Sequence, residues 1–202
     1  MYLPDDNLEL VERLGAGGLG SVWLTRDHDS QYPTLTSDGQ VCSVVAIKFL
    51  LNLPNHDGND SWKHFIQEAA VGIGLRSLSV AKVVPSFKLI SLRSNPAWHP
   101  ARAAIVMQCI EPSLDRVLEQ LDEPLPAAVG IDFAIHLATA LRDLHARGLV
   151  HRDIKPGNVL IQLARGRSFA DPTPDSLTGA IALLADFGFI AKERKEATFY
   201  LG

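Results

Sequence analysis

Apolar and polar residues alternate along much of the first half of the chain, which is the period of a β-strand with one buried face. Five runs either alternate in this way or are rich in apolar, β-branched residues: residues 8–14, 21–27, 41–50, 83–93 and 101–110. Residues 61–75 are predicted to form a helix, because Ser61 is a favoured N-cap residue. The first half is therefore predicted to be a β-rich unit with one helix.

The pattern changes to a helical one after residue 110. Residues 112–121 predict a short helix with an apolar face, and residues 127–148 predict a long helix that ends at a glycine. The apolar positions are Leu114, Val117, Leu118 and Leu121 in the first helix and Leu137, Leu141 and Leu144 in the second. Two further strands are predicted at residues 158–163 and 180–187. The chain is thus predicted to be an α+β protein with a β-rich lobe, a connector and a helical lobe.

Composition limits the class of partner more than it limits the fold. The 202 residues are 47% hydrophobic and 21% charged, as in an ordinary globular protein, and the formal net charge of −4 gives no overall attraction to nucleic acid or to an anionic membrane. No signal peptide is evident, and no apolar run reaches the roughly 18 residues that span a bilayer. Cys42 and Cys109 have no metal-ligand spacing and no expected disulfide, which fits a cytoplasmic location.

Four glycines, Gly15, Gly17, Gly18 and Gly20, lie between the first two predicted strands. A Walker A loop is excluded, because the lysine that such a loop requires does not follow the last glycine. A dinucleotide-binding loop is disfavoured, because a strand rather than a helix follows the glycines. A glycine-rich hairpin that covers phosphates and a hairpin with no ligand both remain compatible with these residues alone.

Three further motifs decide between these alternatives. Residues 45–48 are Val-Ala-Ile-Lys, residues 151–158 are His-Arg-Asp-Ile-Lys-Pro-Gly-Asn, and residues 185–188 are Ala-Asp-Phe-Gly. With the glycines, they stand in the order found in eukaryotic-type protein kinases, and the resemblance extends over nearly the whole chain. Residues 153–158 resemble the serine/threonine branch of this family as found in bacteria. The resemblance implies a bilobal protein-kinase-like fold, with a β-rich N-lobe and a mainly helical C-lobe.

The resemblance also implies a catalytic set and two cofactors, ATP and Mg²⁺. Lys48 is expected to hold the α- and β-phosphates of ATP and to pair with Glu68 of the predicted helix. Asp153 is expected to orient the substrate hydroxyl and accept its proton, and Lys155 to neutralise the transferred phosphate. Because Mg²⁺ prefers oxygen ligands, the expected metal ligands are Asn158 and Asp186. The implied partner is a protein substrate that offers a serine or threonine hydroxyl.

The residues expected to contact the nucleotide come from the glycine cluster, the walls of the adenine pocket and the connector. They are Gly15, Gly17, Gly18, Gly20, Val22, Ala46, Lys48, Met107, Gln108, Cys109 and Leu160. His151 and Phe187 resemble residues that pack the two lobes together. Arg152 resembles the arginine that contacts a phosphorylated activation segment, and Thr198 is a candidate phosphorylation site.

The correspondence with the family divides the chain into three parts. Residues 1–107 correspond to the N-lobe, residues 108–112 to the hinge, and residues 113–202 to part of the C-lobe. The motif that normally closes the activation segment does not occur before residue 202. We therefore expect a chain truncated within that segment, which is either a fragment of a longer protein or has a C-lobe that a partner or a second copy completes. The principal expectation is a protein serine/threonine kinase. The alternative is a catalytically impaired ATP-binding kinase fragment that acts as a regulatory or interaction module.

One position departs from the family pattern. Gly72 lies four positions after Glu68, where the family usually carries a large apolar residue that packs on the position of Phe187. Glycines at positions 72 and 74 also destabilise a helix by about 1 kcal/mol each relative to alanine. We therefore expect a loosened second half of this helix and an incompletely formed Lys48–Glu68 pair.

Overall fold

The first half of the chain forms an antiparallel sheet of six strands. The computed structural model describes residues 2–3, 7–17, 20–32, 34–35, 41–50, 60–75, 87–91, 103–164 and 173–192. Across the sheet, the strands are in the order β1 (Tyr2–Leu3), β2 (Leu8–Gly17), β3 (Gly20–Asp27), β6 (Val44–Leu50), β8 (Ala103–Gln108) and β7 (Phe87–Ser91). Two short strands pair with each other between β3 and β6, namely β4 (Thr34–Leu35) and β5 (Val41–Cys42).

Helices and short strand pairs make up the rest of the fold. The helices are α1 (Asp60–Leu75), α2 (Leu114–Gln120) and α3 (Ala127–His145). The strand pairs are β9 (Leu149–Val150) with β12 (Ala191–Lys192), and β10 (Val159–Gln162) with β11 (Ile181–Leu184). Two turns of 3₁₀-helix are formed by Pro156–Asn158 and Pro174–Leu177. No helix among the described residues has the length and apolar character needed to cross a membrane.

Successive side chains of the central strands lie on opposite faces of the sheet, so each face builds its own core. One face carries the cluster Leu8, Leu10, Val45, Ile47, Phe49, Ala104 and Val106. The other face contributes Leu50 and Ile105 to a cluster that also contains residues of α1, α3 and the segment around Phe187. Because this second cluster draws on both halves of the chain, it fixes the sheet against the helices and forms one side of the cleft described below.

The elements predicted from the sequence pattern are present. The structure adds the short strands β1, β4, β9 and β12, and it divides the strand predicted at residues 41–50 into β5 and β6. Strand β8 ends at Gln108 and α2 begins at Leu114. The division into an N-lobe that ends at residue 107, a hinge over residues 108–112 and a C-lobe from residue 113 stays a prediction. In α2, Val117 is buried, but Leu118 is 45% exposed. Leu118 belongs to the predicted apolar face by its helical position, about 100° around the axis from Val117, but it is the member of that face that stays exposed.

Gly20 is packed directly against the neighbouring strand. Gly20 pairs with Leu50 of β6. A Cβ atom at Gly20 would overlap the carbonyl oxygen of Phe49. We therefore expect Gly20→Ala to lower the free energy of unfolding by about 1–3 kcal/mol, the range found for overpacked positions. The matched control is Gly15→Ala, since a Cβ atom there would meet no atom within 4 Å. Equal urea midpoints for the two variants would contradict the close packing at Gly20.

Candidate active site

Three charged side chains from distant parts of the chain meet at the inner end of a cleft. Lys48 lies in β6, Glu68 in α1, and Asp186 just after β11. Lys48 Nζ donates hydrogen bonds to Glu68 Oε2 at 2.7 Å and Oε1 at 2.9 Å, and a third to Asp186 Oδ1 at 3.2 Å. Burial opposes the charge on Lys48, but the two carboxylates outweigh burial, so the pKa of Lys48 lies above its ordinary value of 10.5. The lysine is therefore a fixed positive charge on the wall of the cleft.

The loop between β9 and β10 holds Asp153 in a hydrogen-bond network. Lys155 Nζ donates to Asp153 Oδ2 at 2.7 Å, and the Asn158 amide nitrogen donates to the same oxygen at 2.9 Å and to the Asp153 carbonyl at 2.8 Å. The hydrogen bond from Lys155 is the main reason that the pKa of Asp153 lies below its ordinary value. Because both hydrogen bonds from the Asn158 amide nitrogen go to Asp153, the side-chain oxygen of Asn158 is the atom available to a cation.

Two residues of these motifs adopt the left-handed backbone conformation, Arg152 with φ of 67° and Asp186 with φ of 61°. This conformation costs a non-glycine residue on the order of 1 kcal/mol, and the surrounding structure must hold it in place. Arg152 Nε donates to the Phe189 carbonyl oxygen at 2.7 Å, and Asp186 is held by Lys48. Strain of this kind is concentrated at functional sites, which supports a functional role for this loop and this segment.

His151 joins the loop to the segment after β11. Its Nε2 atom lies 3.0 Å from the Ala185 carbonyl oxygen, and its ring meets Phe187 edge-on at a centroid distance of 5.7 Å. The Asp153 backbone N–H donates to its Nδ1 atom at 3.3 Å. Burial lowers the pKa of His151 below its ordinary value of 6.5, so the ring is neutral at neutral pH. The geometry is that of a packing residue.

The buried, neutral His151 predicts a loss of stability in acid. In the unfolded chain this histidine takes up a proton at its ordinary pKa, whereas in the folded chain the pKa is lower. The contribution of the neutral histidine to stability is therefore complete above about pH 6.5 and decreases as the pH falls below that value. His151→Asn removes the titrating group. We expect the urea midpoint to fall less in this variant than in the unmodified protein between about pH 7.5 and about pH 5.5. An equal fall in both proteins would contradict this prediction.

The cleft encloses about 220 Å³ and is lined by most of the residues expected to contact the nucleotide. These are Gly15, Val22, Ala46, Lys48, Met107, Gln108 and Leu160. Glu68, Asn158 and Asp186 also line the cleft, and Asp153 and Lys155 adjoin it through the hydrogen bonds to Asn158. Gly17 is the last residue of β2. Two other expected residues, Gly20 and Cys109, are described but are not among the lining residues. Gly18 and Thr198 lie outside the described residues.

Ile110, the last residue of the connector expected to contact the adenine, also lines the cleft. Several lining residues were not singled out from the sequence: Leu14, Glu111, Ser113, Arg116, Gly157 and Ala185. Most of them are neighbours of a motif or of the connector, and their position in the sequence was the signal that could have identified them. Arg116 is different, because it lies in α2 and nothing in the adjacent sequence indicates a place in the cleft. The fold of the chain between β8 and α2 brings it there.

Helix α1 also contacts the segment that follows Asp186. Gln67 Nε2 donates to the Ile190 carbonyl oxygen at 2.5 Å, and the rings of His64 and Phe189 lie 5.7 Å apart. These contacts come from the same helix as Glu68. The position of Glu68 is therefore linked to the position of the segment that carries Asp186.

The loosening expected at Gly72 is not what the structure shows. Helix α1 is continuous through Gly72, which is buried, and the Lys48–Glu68 pair is closed. The reason is that other residues of the helix face provide the packing: Phe65, Ala69 and Leu75 are buried in the same cluster as Phe187, which has no exposed surface.

A carboxylate and an amide group are the candidate metal ligands of the cleft. Among the described residues, no group of three or more His, Cys, Asp or Glu side chains could enclose a metal ion. Asp186 and Asn158 instead offer a partial set of oxygen ligands. This suits Mg²⁺, which usually keeps several water or phosphate ligands and takes only one or two from a protein.

The sheet with its single helix, the helical part and the charged cleft between them are the architecture of a protein kinase domain. A family model of the protein kinase domain matches residues 8–200, and the chain belongs to this family. Members of the family use ATP and typically Mg²⁺.

The relatives of the chain include serine/threonine kinases of bacteria. Serine/threonine-protein kinase PkaA of Streptomyces coelicolor is 32% identical over 158 residues, which is 78% of this chain and 27% of that protein. Serine/threonine-protein kinase PknB of Mycobacterium leprae is 27% identical over 191 residues, which is 90% of this chain and 28% of that protein. Kinase and exchange factor for Rac B of Dictyostelium discoideum is 27% identical over 159 residues, 78% of this chain and 12% of that protein. The chain thus spans between 12% and 28% of the length of these relatives.

Proposed function

We propose that this chain carries the phosphotransfer site of a protein serine/threonine kinase, which moves the γ-phosphate of ATP to a serine or threonine hydroxyl of a protein. The observation that carries the proposal is the meeting of Lys48, Glu68 and Asp186 in one cleft, beside the network of Asp153 and Asn158. Phosphoryl transfer depends on positioning and charge neutralisation, and this arrangement supplies both.

The nucleotide is proposed to bind with its adenine between the sheet and Leu160 and its phosphates toward Lys48. Apolar side chains line the middle of the cleft, and the only lysine among its described lining residues is Lys48. Its charge is held by two carboxylates, so the ammonium group is already in place before a phosphate arrives. The glycines of the β2–β3 hairpin are proposed to cover the phosphates, because a backbone without Cβ atoms can approach them closely.

Asp186 and Asn158 are the proposed ligands of Mg²⁺, which when bound would neutralise negative charge on the phosphates. Asp186 contacts Lys48, so this contact fixes the proposed metal ligand and the proposed phosphate-binding lysine relative to each other. Asn158 contacts Asp153, so the second ligand is tied to the proposed base. Each ligand thus has a second partner that fixes its orientation.

Asp153 is the proposed base. Its carboxylate is ionised, because the hydrogen bond from Lys155 lowers its pKa. It would accept the hydroxyl proton of the substrate while the hydroxyl oxygen bonds to the γ-phosphorus and the bond from that phosphorus to ADP breaks. Lys155 would neutralise charge on the transferred group. The names of the bacterial relatives favour serine and threonine as acceptors, and we propose a cytoplasmic location, where ATP and reduced thiols such as Cys109 are found.

The test is incubation with γ-labelled ATP and peptides that contain either serine and threonine or tyrosine as the hydroxyl residue. We expect label on serine and threonine, and none when Mg²⁺ is chelated. Label on tyrosine would contradict the acceptor class. ATP binding without transfer would contradict the kinase proposal and favour the alternative of a regulatory module, and absence of ATP binding would contradict both.

A further inference from the structure

The outer end of the cleft contains a contact between its two sides. Arg116 Nη2, from α2, donates a hydrogen bond to the Leu14 carbonyl oxygen of β2 at 3.2 Å. Arg116 and Leu14 both line the cleft. Leu14 directly precedes Gly15 and the turn of the glycine-rich hairpin. We call this contact the Arg116 bridge.

The backbone of β2 is irregular at the point where the bridge attaches. Along the β2–β3 ladder, Arg13 pairs with Trp23 and Gly15 pairs with Val22, so Leu14 is an extra residue with no partner in β3. An extra residue of this kind is a β-bulge, and its backbone groups fall out of the ladder. The carbonyl oxygen of this bulge residue is the one that accepts from Arg116.

Arg116 also interacts with a carboxylate of the connector. Glu111 of the connector lies 3.9 Å from Arg116 Nη1. Burial raises the pKa of Glu111 above its ordinary value, Arg116 opposes this shift, and the carboxylate of Glu12 in β2 adds to it. The Glu12 carboxylate therefore repels that of Glu111, and the guanidinium group of Arg116 offsets that repulsion.

We propose that Arg116 is a positioning residue that holds the glycine-rich hairpin over the cleft and so sets the rate at which the nucleotide leaves. This inference rests on the proposed function, because it takes the nucleotide to be the occupant of the cleft. Arg116 acts by joining α2 to β2, two elements that line the cleft. In this proposal, α2 and β2 must separate before the nucleotide can leave the cleft.

The expected effect is moderate, because the side chain of Arg116 is 47% exposed. Solvent screens contacts of this kind, so removal of the guanidinium is expected to raise the release rate by about twofold to fivefold. High salt is expected to speed release from the unmodified protein more than from Arg116→Ala, since the variant has lost the charge that salt screens.

The test compares Arg116→Ala and Arg116→Lys with Arg142→Ala, which removes an exposed arginine outside the cleft. Release of unlabelled Mg-ADP is followed in the dissociation phase of surface plasmon resonance, and hydrogen exchange of residues 12–16 is measured without nucleotide. We expect faster release and faster exchange in Arg116→Ala, an intermediate rate in Arg116→Lys, and no change in Arg142→Ala. Glu12→Gln added to Arg116→Ala is expected to slow release again, because it removes the repulsion.

Unchanged release in Arg116→Ala would overturn the inference. Faster release with unchanged exchange of residues 12–16 would also overturn it, because Arg116 would then act only by touching the nucleotide. Absence of ADP binding to the unmodified protein would contradict the proposed function and with it the claim about release. If Arg116→Ala transfers phosphate but releases ADP at an unchanged rate, the proposed function is supported and the role of the Arg116 bridge is wrong.

Discussion

Glu68→Ala is expected to lower the free energy of unfolding by about 3–5 kcal/mol and to abolish phosphate transfer, because it leaves a buried ammonium group without its main partner. In the intact protein, Glu68 is 2% exposed and accepts two hydrogen bonds from Lys48, which is 7% exposed. After the substitution only Asp186, at 3.2 Å, would remain close to the charge of Lys48. Urea unfolding and transfer from γ-labelled ATP measure the two effects.

A double variant separates the stability of the pair from its role in the reaction. Lys48→Met combined with Glu68→Leu replaces two buried charges by apolar side chains, an exchange that is often neutral or stabilising. We expect this variant to recover most of the stability that Glu68→Ala loses, and to remain without activity, since the lysine proposed to hold the α- and β-phosphates is gone. Activity in the double variant would contradict the role proposed for Lys48. A Glu68→Ala variant as stable as the unmodified protein would contradict the buried pair.

Asp153→Asn is expected to lower the rate of phosphate transfer by about 10²–10⁴-fold, the contribution of a positioned general base. The substitution keeps the shape of the side chain but removes the negative charge that accepts from Lys155 and Asn158. Asp153 does not line the cleft, so the affinity for Mg-ATP is expected to change little. Single-turnover transfer and calorimetric titration with Mg-ATP measure the two quantities.

The matched control for this change is Asp143→Asn, which removes a carboxylate of α3 that pairs with Arg142 outside the cleft. We expect this variant to transfer phosphate at the rate of the unmodified protein. If Asp153→Asn and Asp143→Asn were equally active, the assignment of Asp153 as the base would be wrong. If Asp153→Asn lost ATP binding as well, the residue would act on the nucleotide rather than on the hydroxyl.

Much of the site could be predicted from the sequence because it depends on local motifs. Lys48, Asp153, Asn158 and Asp186 lie in short stretches whose spacing is itself the signal, and the structure brings these stretches to one cleft. Glu68 has no such stretch around it. Its pairing with Lys48 was predicted from the family order of strand and helix, and the distance of 2.7 Å agrees with that prediction.

The features that could not be predicted depend on tertiary packing. The bulge at Leu14 and the hydrogen bond from Arg116 to it depend on the tertiary contact between β2 and α2, which the alternation of residue types does not encode. Gly72 suggested a weak helix because propensity counts only local terms, whereas the face of α1 is held by its other buried residues. Tertiary burial thus overrode the local preference at this position.

The most direct test of the account is a crystal structure of the chain with Mg²⁺ and a non-hydrolysable ATP analogue. We expect the adenine against the connector between Gln108 and Ile110, the phosphates at Lys48, and the metal ion on the side-chain oxygens of Asp186 and Asn158. The γ-phosphate is then expected to face the carboxylate of Asp153. A nucleotide bound outside this cleft, or phosphates that point away from Lys48 and Asp186, would contradict the account.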